Sequence, residues 1–563
     1  MSSNHAGPAR LSPELSTELL ILVASVTFAT AYNRALWHNL FGATGLFEPS
    51  KVGLFAALLI VVICVQFAGL ALLLTRRTVR PVLAVLFVCT ALASFYMDRY
   101  TIFLNTEMLR NIVRTDPAEA GELLSVQLIP HLLLYAAVPI ALVLWTRIRV
   151  RPLRNAILIR IAAVTSALVI AALALFVQYK DASSLLRGHR EARHLVTPTN
   201  YLASLFKISR EALADPPGEP EPIALDAHRV AGSAAVRKPT LLVLAIGETV
   251  RSANFGLSGY ARQNTPELSQ LDLVVYPRVQ ACGTSTEVSL PCMFAPIGRR
   301  DYDEKRIRNE QSLLHVLARV GVGVYWIDNQ SGCKGVCAGL PQERIPGDAD
   351  PAFCDGERCL DSILLPRLAA TVAASPGDLV VVLHMLGNHG PAYSRRYPPE
   401  FRKFVPTCES LELSECSQDE IVNAYDNAIL YTDHVLASLV HYLETQTGRA
   451  TGLIYVSDHG ESLGESGFYL HGLPYRIAPA VQREVPMLIW LSDSLQRDAG
   501  ISTACLRQGV SSEVAHDHLF HSVLGLLQVE TVAREPSLDL FTPCRVQAVT
   551  PATDQEPRGP TTT

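Results

Sequence analysis

The sequence predicts a multi-pass α-helical membrane domain followed by an α/β domain with a mainly parallel sheet. Three observations predict it. Five apolar runs crowd the first third of the chain, ten of the 12 cysteines lie beyond them, and short β-branched runs then alternate with helical stretches.

The apolar runs cover residues 19–32, 52–74, 81–96, 128–145 and 156–177 of the 563. The second, fourth and fifth are near the ~20 residues a helix needs to cross a bilayer, and small or polar neighbours extend the other two. Any one run also reads as a buried core helix; five in series with almost no internal charge do not. The first is not a cleaved leader, because further spans follow and no Ala-x-Ala site closes it. Arg76, Arg77 and Arg80 follow the second run, and Arg147, Arg149, Arg151 and Arg154 follow the fourth. The positive-inside bias puts both of those loops in the cytoplasm. Five spans from a cytoplasmic N-terminus then deliver everything beyond Tyr179 to the outer side.

Cysteine usage agrees with that orientation. Cys64 and Cys89 fall inside spans, and the rest fall in the exported part. Their close spacing reads as local disulfides Cys282–Cys292, Cys333–Cys337, Cys354–Cys359 and Cys408–Cys416, with Cys505 and Cys544 paired by elimination. Zinc binding through Cys333, Cys337, Cys354 and Cys359 is the competing reading. Neither pair has the two-residue spacing of a zinc ribbon, and free thiolates do not persist in an oxidising compartment. The net charge of −5 argues against nucleic acid as a partner.

The expected organisation is therefore a membrane domain over 1–180, a bridging segment over 181–238 and a catalytic domain over 239–548. A Pro- and Thr-rich tail over 549–563 is expected to be disordered. The bridging segment contains the linker DPPGEPEP at 215–222. Beyond it, residues 240–248, 322–329, 378–386, 451–460 and 485–492 read as buried strands, and 310–320 and 421–445 as helices. Ligands bind at the carboxyl ends of strands in such sheets. Glu248 ends the first strand, His384 and His389 sit at and beyond the end of the third, Asp458 and His459 close the fourth, and His471 follows.

Each of these residues alone has a plain structural explanation, as a helix-start acid or a histidine bonding a carbonyl. Their convergence on one sheet edge favours a metal site. Two carboxylates and an imidazole suit zinc and leave a tetrahedral position open. The stretch ACGTSTEVSLPC at 281–292 supplies three hydroxyls, any one of which a metal would activate as a nucleophile.

IGET at 246–249, CGTST at 282–286, NQSGCKGVC at 329–337, LHMLGNHGPAY at 383–393 and SDHGESLGE at 457–465 resemble the lipid A phosphoethanolamine transferases. That family includes the mobile colistin-resistance enzymes, and the resemblance runs along nearly the whole chain. It implies a sulfatase/alkaline-phosphatase-like fold in the catalytic domain. It also implies zinc ligands at Glu248, Thr286, Asp458 and His459, with Thr286 as nucleophile. Ser331, Lys334, His389 and His471 would line the phosphoethanolamine pocket, with His384 a nearby motif histidine. Asn111, Thr115 and Glu119 would hold the lipid donor, their four-residue spacing placing all three on one helix face.

The implied reaction is two-step. Thr286 takes phosphoethanolamine from phosphatidylethanolamine, and a lipid A phosphate then accepts it. One zinc is bound tightly, and the two histidines leave room for a second during turnover. The implied setting is a Gram-negative inner membrane with the catalytic domain in the periplasm. The implied effect is resistance to cationic peptides such as polymyxin and colistin.

Sulfatases carry a C/S-x-P-x-R motif that CGTST does not match. Lipoteichoic acid synthases share five spans and a threonine nucleophile but transfer glycerophosphate and lack the dense cysteine pairs. A binding or sensor protein needs no nucleophile beside a metal set. Related transferases acting on core heptose or periplasmic glucan use the same catalytic residues, so the motifs report donor chemistry and leave the acceptor open.

Overall fold

The computed structural model describes residues 12–45, 48–115, 117–214, 218–230, 237–511 and 513–545. The expected tail at 549–563 and residues 215–217 of the linker lie outside them.

The N-terminal third is helical. Helices α1 (Thr17–Ala31) and α2 (Arg34–Gly45) are followed by α3 (Pro49–Leu73) and α4 (Val79–Tyr100). Two short helices, α5 (Thr106–Arg114) and α6 (Pro117–Glu122), then precede α7 (Leu128–Trp145) and α8 (Leu153–Val177). Four of these helices are long and apolar enough to cross a membrane, and a fifth span arises if α1 and α2, bent by 49°, count as one. The bend has a polar cause. Asn33 stands between the two helices, its amide donating to the carbonyls of Phe28 and Thr197 and accepting from the Thr197 N–H. Midway along α7, Pro139 has no N–H to offer the Tyr135 carbonyl, and the Tyr32 hydroxyl donates to that carbonyl instead.

The C-terminal part is built on an eight-stranded sheet. Its strands are β1 (Thr240–Gly247), β2 (Val274–Gln280), β3 (Gly323–Asp328), β4 (Gln342–Arg344), β5 (Leu379–His384), β6 (Ala450–Ser457), β7 (Glu484–Leu491) and β8 (Val514–Ala515), in the order β8-β2-β7-β6-β1-β5-β3-β4. Only β7 runs against its neighbours β6 and β2; the other pairings are parallel. On β1, Leu242, Leu244 and Ile246 enter one apolar core while Leu241, Val243 and Ala245 enter the other. Burial on both faces explains why these strands read as unbroken apolar runs. A 28-residue helix, Gln418–Thr445, covers the second face and starts in a capping box of Ser417 and Glu420.

The cysteines beyond the membrane helices are bonded as Cys282–Cys292, Cys333–Cys337, Cys354–Cys359, Cys408–Cys416 and Cys505–Cys544, with Cys64 and Cys89 free.

One expectation is corrected. Asn111, Thr115 and Glu119 do not share one helix. Helix α5 ends at Arg114, Thr115 is extended at ψ 133°, and a new helix starts at Pro117. Proline disfavours helical backbone in the residue before it, so a regular four-residue spacing does not carry across. The Thr115 hydroxyl instead turns back to the Asn111 carbonyl at 2.8 Å. The side chain of Glu119 lies outside what the structure describes.

Candidate active site

Strands β1 and β6 lie side by side in register, so their C-terminal residues emerge together. Gly247 is opposite Ser457, which puts Glu248 beside Asp458 and His459. One carboxylate oxygen of each acid is engaged. Asp458 Oδ1 accepts from the backbone N–H groups of Thr249 at 3.2 Å and His459 at 2.7 Å. Glu248 Oε2 accepts from Thr286 Oγ1 at 3.0 Å and Gln330 Nε2 at 3.1 Å.

The other oxygens, Glu248 Oε1 and Asp458 Oδ2, are buried without a hydrogen-bond partner. Each lies 3.3 Å from His459 Nε2. His459 Nδ1 donates to the Gly460 carbonyl at 2.9 Å, which turns Nε2 toward the two oxygens. The three ligand atoms fall within 4.8 Å of one another. Two orphaned acceptors and an oriented imidazole facing one point fit a divalent cation, which makes the trio a candidate metal site.

The electrostatics agree. Burial opposes charge on Glu248, yet the imidazole of His459 beside it holds its carboxyl well below the usual carboxylate range. Burial together with the Glu248 charge pushes Asp458 up to about 7. Burial would lower His459, but the carboxylates of Asp458 and Glu248 raise it to about 10. With no cation the cluster holds protons tightly; a metal substitutes for them.

The backbone pays for this convergence in strain. Thr249, directly after Glu248, holds a φ of +57°, uncommon for a β-branched residue. The loop after β5 crosses over Glu248 at Gly387, where a Cβ would meet the Glu248 carbonyl oxygen at 2.6 Å.

The hydroxyl stretch separates into distinct jobs. Thr284 donates to the Leu473 carbonyl at 2.6 Å, and Ser285 is the N-cap of helix α9 (Thr286–Met293). Thr286 alone reaches the cluster, at 3.0 Å from Glu248 Oε2 and 3.4 Å from His459 Nε2. It stands at the first position of α9, where backbone N–H groups have no intrahelical acceptor and the helix dipole favours negative charge.

The remaining predicted residues fall at several depths. His471 neighbours His459, with ring centroids 4.4 Å apart, and His389 neighbours His471 at 5.4 Å. Lys334 Nζ donates to the Ser331 carbonyl at 3.0 Å, and the Ser331 hydroxyl donates to Gln330 Oε1. His384 is fully buried; its Nδ1 bonds Asp328 Oδ2 at 2.9 Å, so it supports the sheet edge from beneath. Asn111 and Thr115 stand half-buried at the end of α5, a helix whose Met108 packs against Gly472, next to His471.

Two residues were not singled out from sequence. Gln330 bonds Glu248, and Glu461, fully buried, bonds His471 Nδ1 at 3.3 Å. Each lay inside a quoted motif, NQSG or SDHGES, and a polar residue shortly after a strand end, two positions beyond β3 for Gln330 and four beyond β6 for Glu461, was the available signal.

This fold and site define a membrane-anchored group-transfer enzyme of the sulfatase-like class. Residues 240–529 match the family described as Sulfatase, and residues 62–213 the family described as Phosphoethanolamine transferase EptA/EptB. The chain is 35% identical over 541 residues to phosphoethanolamine transferase EptA of Salmonella typhimurium, covering 95% of this chain and 98% of that one. It is 34% identical over 487 residues to phosphatidylethanolamine transferase Mcr-1 of Escherichia coli, covering 84% and 88%. The solved structure of the integral membrane protein lipooligosaccharide phosphoethanolamine transferase A (EptA) from Neisseria meningitidis matches with a TM-score of 0.90 at 31% identity, over 95% of this chain and 100% of that one. The chain belongs to the phosphoethanolamine transferase family of EptA and Mcr type, and it is a multi-pass membrane enzyme.

Proposed function

We propose that this enzyme moves phosphoethanolamine from phosphatidylethanolamine to a phosphate of lipid A through a covalent intermediate on Thr286. The observation that carries the reading is the placement of Thr286 Oγ1 against Glu248 Oε2 and His459 Nε2, inside a cluster of metal-ligating atoms. In this reading the metal is zinc, which Glu248, Asp458, His459 and the Thr286 oxygen would hold. When bound it supplies Lewis acidity that lowers the pKa of the threonine hydroxyl. A second zinc held by His389 and His471 during turnover would stabilise the leaving oxygen in place of the proton that those histidines otherwise donate.

Thr286 Oγ bonds to the donor phosphorus while its proton passes to Glu248 Oε2, the acceptor of its hydrogen bond. The bond from phosphorus to the diacylglycerol oxygen breaks, and the leaving alkoxide takes a proton from the imidazolium of His389 or His471. In this reading the amino terminus of α9 and the charge of Lys334 stabilise the negative charge that develops on the phosphoryl oxygens. In the second half, a phosphate oxygen of lipid A bonds to the phosphorus and the P–Oγ bond breaks. Glu248 returns the proton to Thr286, and the acceptor's own proton restores the histidine.

In this reading Asn111, Thr115 and Glu119 bind the lipid donor. The membrane domain (1–180) and bridging segment (181–238) hold the catalytic domain (239–548) at the periplasmic face of a Gram-negative inner membrane, where both lipids diffuse in two dimensions. An added amine masks a lipid A phosphate and weakens cationic peptide binding, giving polymyxin and colistin resistance.

The test is expression of wild type and Thr286→Ala in a Gram-negative host, followed by mass spectra of extracted lipid A. A phosphoethanolamine increment in the wild type alone is expected. No increment with folded, zinc-loaded protein moves the acceptor to core heptose or glucan, and an increment that survives in the variant removes Thr286 from the reaction.

A further inference from the structure

Glu122 ends helix α6, six residues before α7 enters its apolar run, yet its side chain is only 5% exposed. It is buried within the catalytic domain. Its carboxylate meets two guanidinium groups, with Arg396 Nη2 on Oε2 and Arg358 Nε on Oε1 at 3.2 Å. The Arg396 side chain is 1% exposed, and its Nε donates to the His389 carbonyl at 2.7 Å. One planar fork therefore joins a carboxylate from the membrane-proximal segment to the backbone of a site histidine.

Burial would raise the Glu122 carboxyl, but Arg396 and Arg358 hold it below its ordinary range, so the ion pair is intact at neutral pH. Removing one partner of such a pair leaves uncompensated charge in a dry interior.

The same segment touches two more parts of the site. Arg114, the last residue of α5, pairs with the fully buried Glu287, the neighbour of Thr286. Met108 lies so close to Gly472, the neighbour of His471, that a Cβ there would meet Met108 Cε at 2.5 Å. A segment that served only to tether two domains would have no need to contact the three loops that carry Thr286, His389 and His471.

We propose that Glu122 is a positioning residue for the transfer reaction: through Arg396 it fixes the loop that carries His389, so that docking of the membrane-proximal segment 106–122 is a condition of turnover. The proposal rests on the reading of His389 as a residue of the donor site. It adds a requirement that the catalytic domain cannot meet alone, because the carboxylate that neutralises Arg396 and Arg358 comes from the segment between α4 and α7. Glutamine at this position has the shape to keep one hydrogen bond but lacks the charge. Lysine at position 396 keeps the charge for Glu122 but lacks the fork that holds both the carboxylate and the His389 carbonyl.

The experiment uses the full-length protein in detergent, loaded with zinc, and follows diacylglycerol release from a fluorescent phosphatidylethanolamine. Glu122→Gln, Glu122→Asp, Arg396→Lys, His389→Ala and the double variant Glu122→Gln/His389→Ala are compared at a temperature well below each variant's melting point. Misplacement of a reacting group by an ångström costs on the order of a hundredfold. Glu122→Gln and Arg396→Lys are expected to lower kcat by about tenfold to a hundredfold with a smaller change in donor KM, and Glu122→Asp to recover most of it.

The double variant is expected to be no slower than His389→Ala alone. Wild-type kcat in Arg396→Lys or in folded Glu122→Gln, with His389→Ala impaired, overturns the proposal and spares the reading of His389. Strictly multiplicative losses in the double variant also overturn it. Full activity in His389→Ala overturns both. If Glu122→Gln does not fold, Arg396→Lys, which retains the buried charge pair, decides alone.

Discussion

Metal binding to the Glu248, Asp458 and His459 cluster must displace protons, and their number follows from the geometry. In the metal-free protein His459 Nε2 is protonated up to about pH 10 and Asp458 up to about pH 7, while Glu248 is ionised throughout. A cation needs the Nε2 lone pair and the free Asp458 oxygen, so at pH 6 it must expel a proton from each. At pH 8.5 only the histidine proton remains to be lost. Linkage then makes zinc affinity rise about a hundredfold per pH unit below pH 7 and about tenfold per unit above it. The two steps belong to the coupled pair rather than to either residue alone. Thr286→Ala protein, which has no nucleophile hydroxyl to ionise, is titrated with zinc by calorimetry in two buffers of different ionisation enthalpy. About two protons released at pH 6 and about one at pH 8.5 are expected. An affinity flat with pH, with no proton release, would mean that zinc binds elsewhere and that the cluster is not the metal site.

Other outcomes follow from single contacts. Thr284→Ala loses only the hydrogen bond to the Leu473 carbonyl; it should cost about 1 kcal/mol of stability in a thermal melt and keep the covalent adduct. Gly283→Ala places a methyl 2.8 Å from both the Ser289 nitrogen and Val288 Cγ1, within the helix that carries Thr286. That overpacking should lower Tm by the equivalent of about 1–3 kcal/mol and cut turnover more than tenfold. Burial opposes the Asp328 charge, but pairing with His384 lowers its pKa from 3.8 to about 2. Its folded pKa lies below its unfolded one, so it stabilises above about pH 4 and loses that contribution as pH falls toward 2. Asp328→Asn should therefore cost about 2 kcal/mol in denaturant melts at pH 6 and much less at pH 2.5.

The strands that end at the site were legible because both faces of the sheet are buried and their sequences are unbroken apolar runs. Val274–Gln280 was not, because Pro277 and Arg278 interrupt it. It tolerates them toward one side of the sheet, pairing antiparallel with Glu484–Leu491 across a register shift between Val485 and Met487. Strand order and the reversed direction of β7 depend on pairings between distant segments, which no local pattern reports. The break between α5 and α6 was readable from Pro117, which outweighs the regular spacing of Asn111, Thr115 and Glu119. The trio Glu248, Asp458 and His459 was legible as a candidate site because all three stand just beyond strand ends. Gln330 and Glu461 did not, since their roles lie in what their side chains meet across the sheet edge. Glu122 carried no signal at all; an acid in a short polar stretch gives no hint that it is buried against two arginines.

The most direct test of the central claim is to incubate purified wild-type protein with phosphatidylethanolamine and no acceptor, quench in acid and sequence the proteolytic peptides by mass spectrometry. The account predicts one phosphoethanolamine group on Thr286, absent from Thr286→Ala and Glu248→Gln and present on Thr284→Ala. An adduct on Thr284 or Ser285, or diacylglycerol release at full rate with no adduct on any residue, would contradict it.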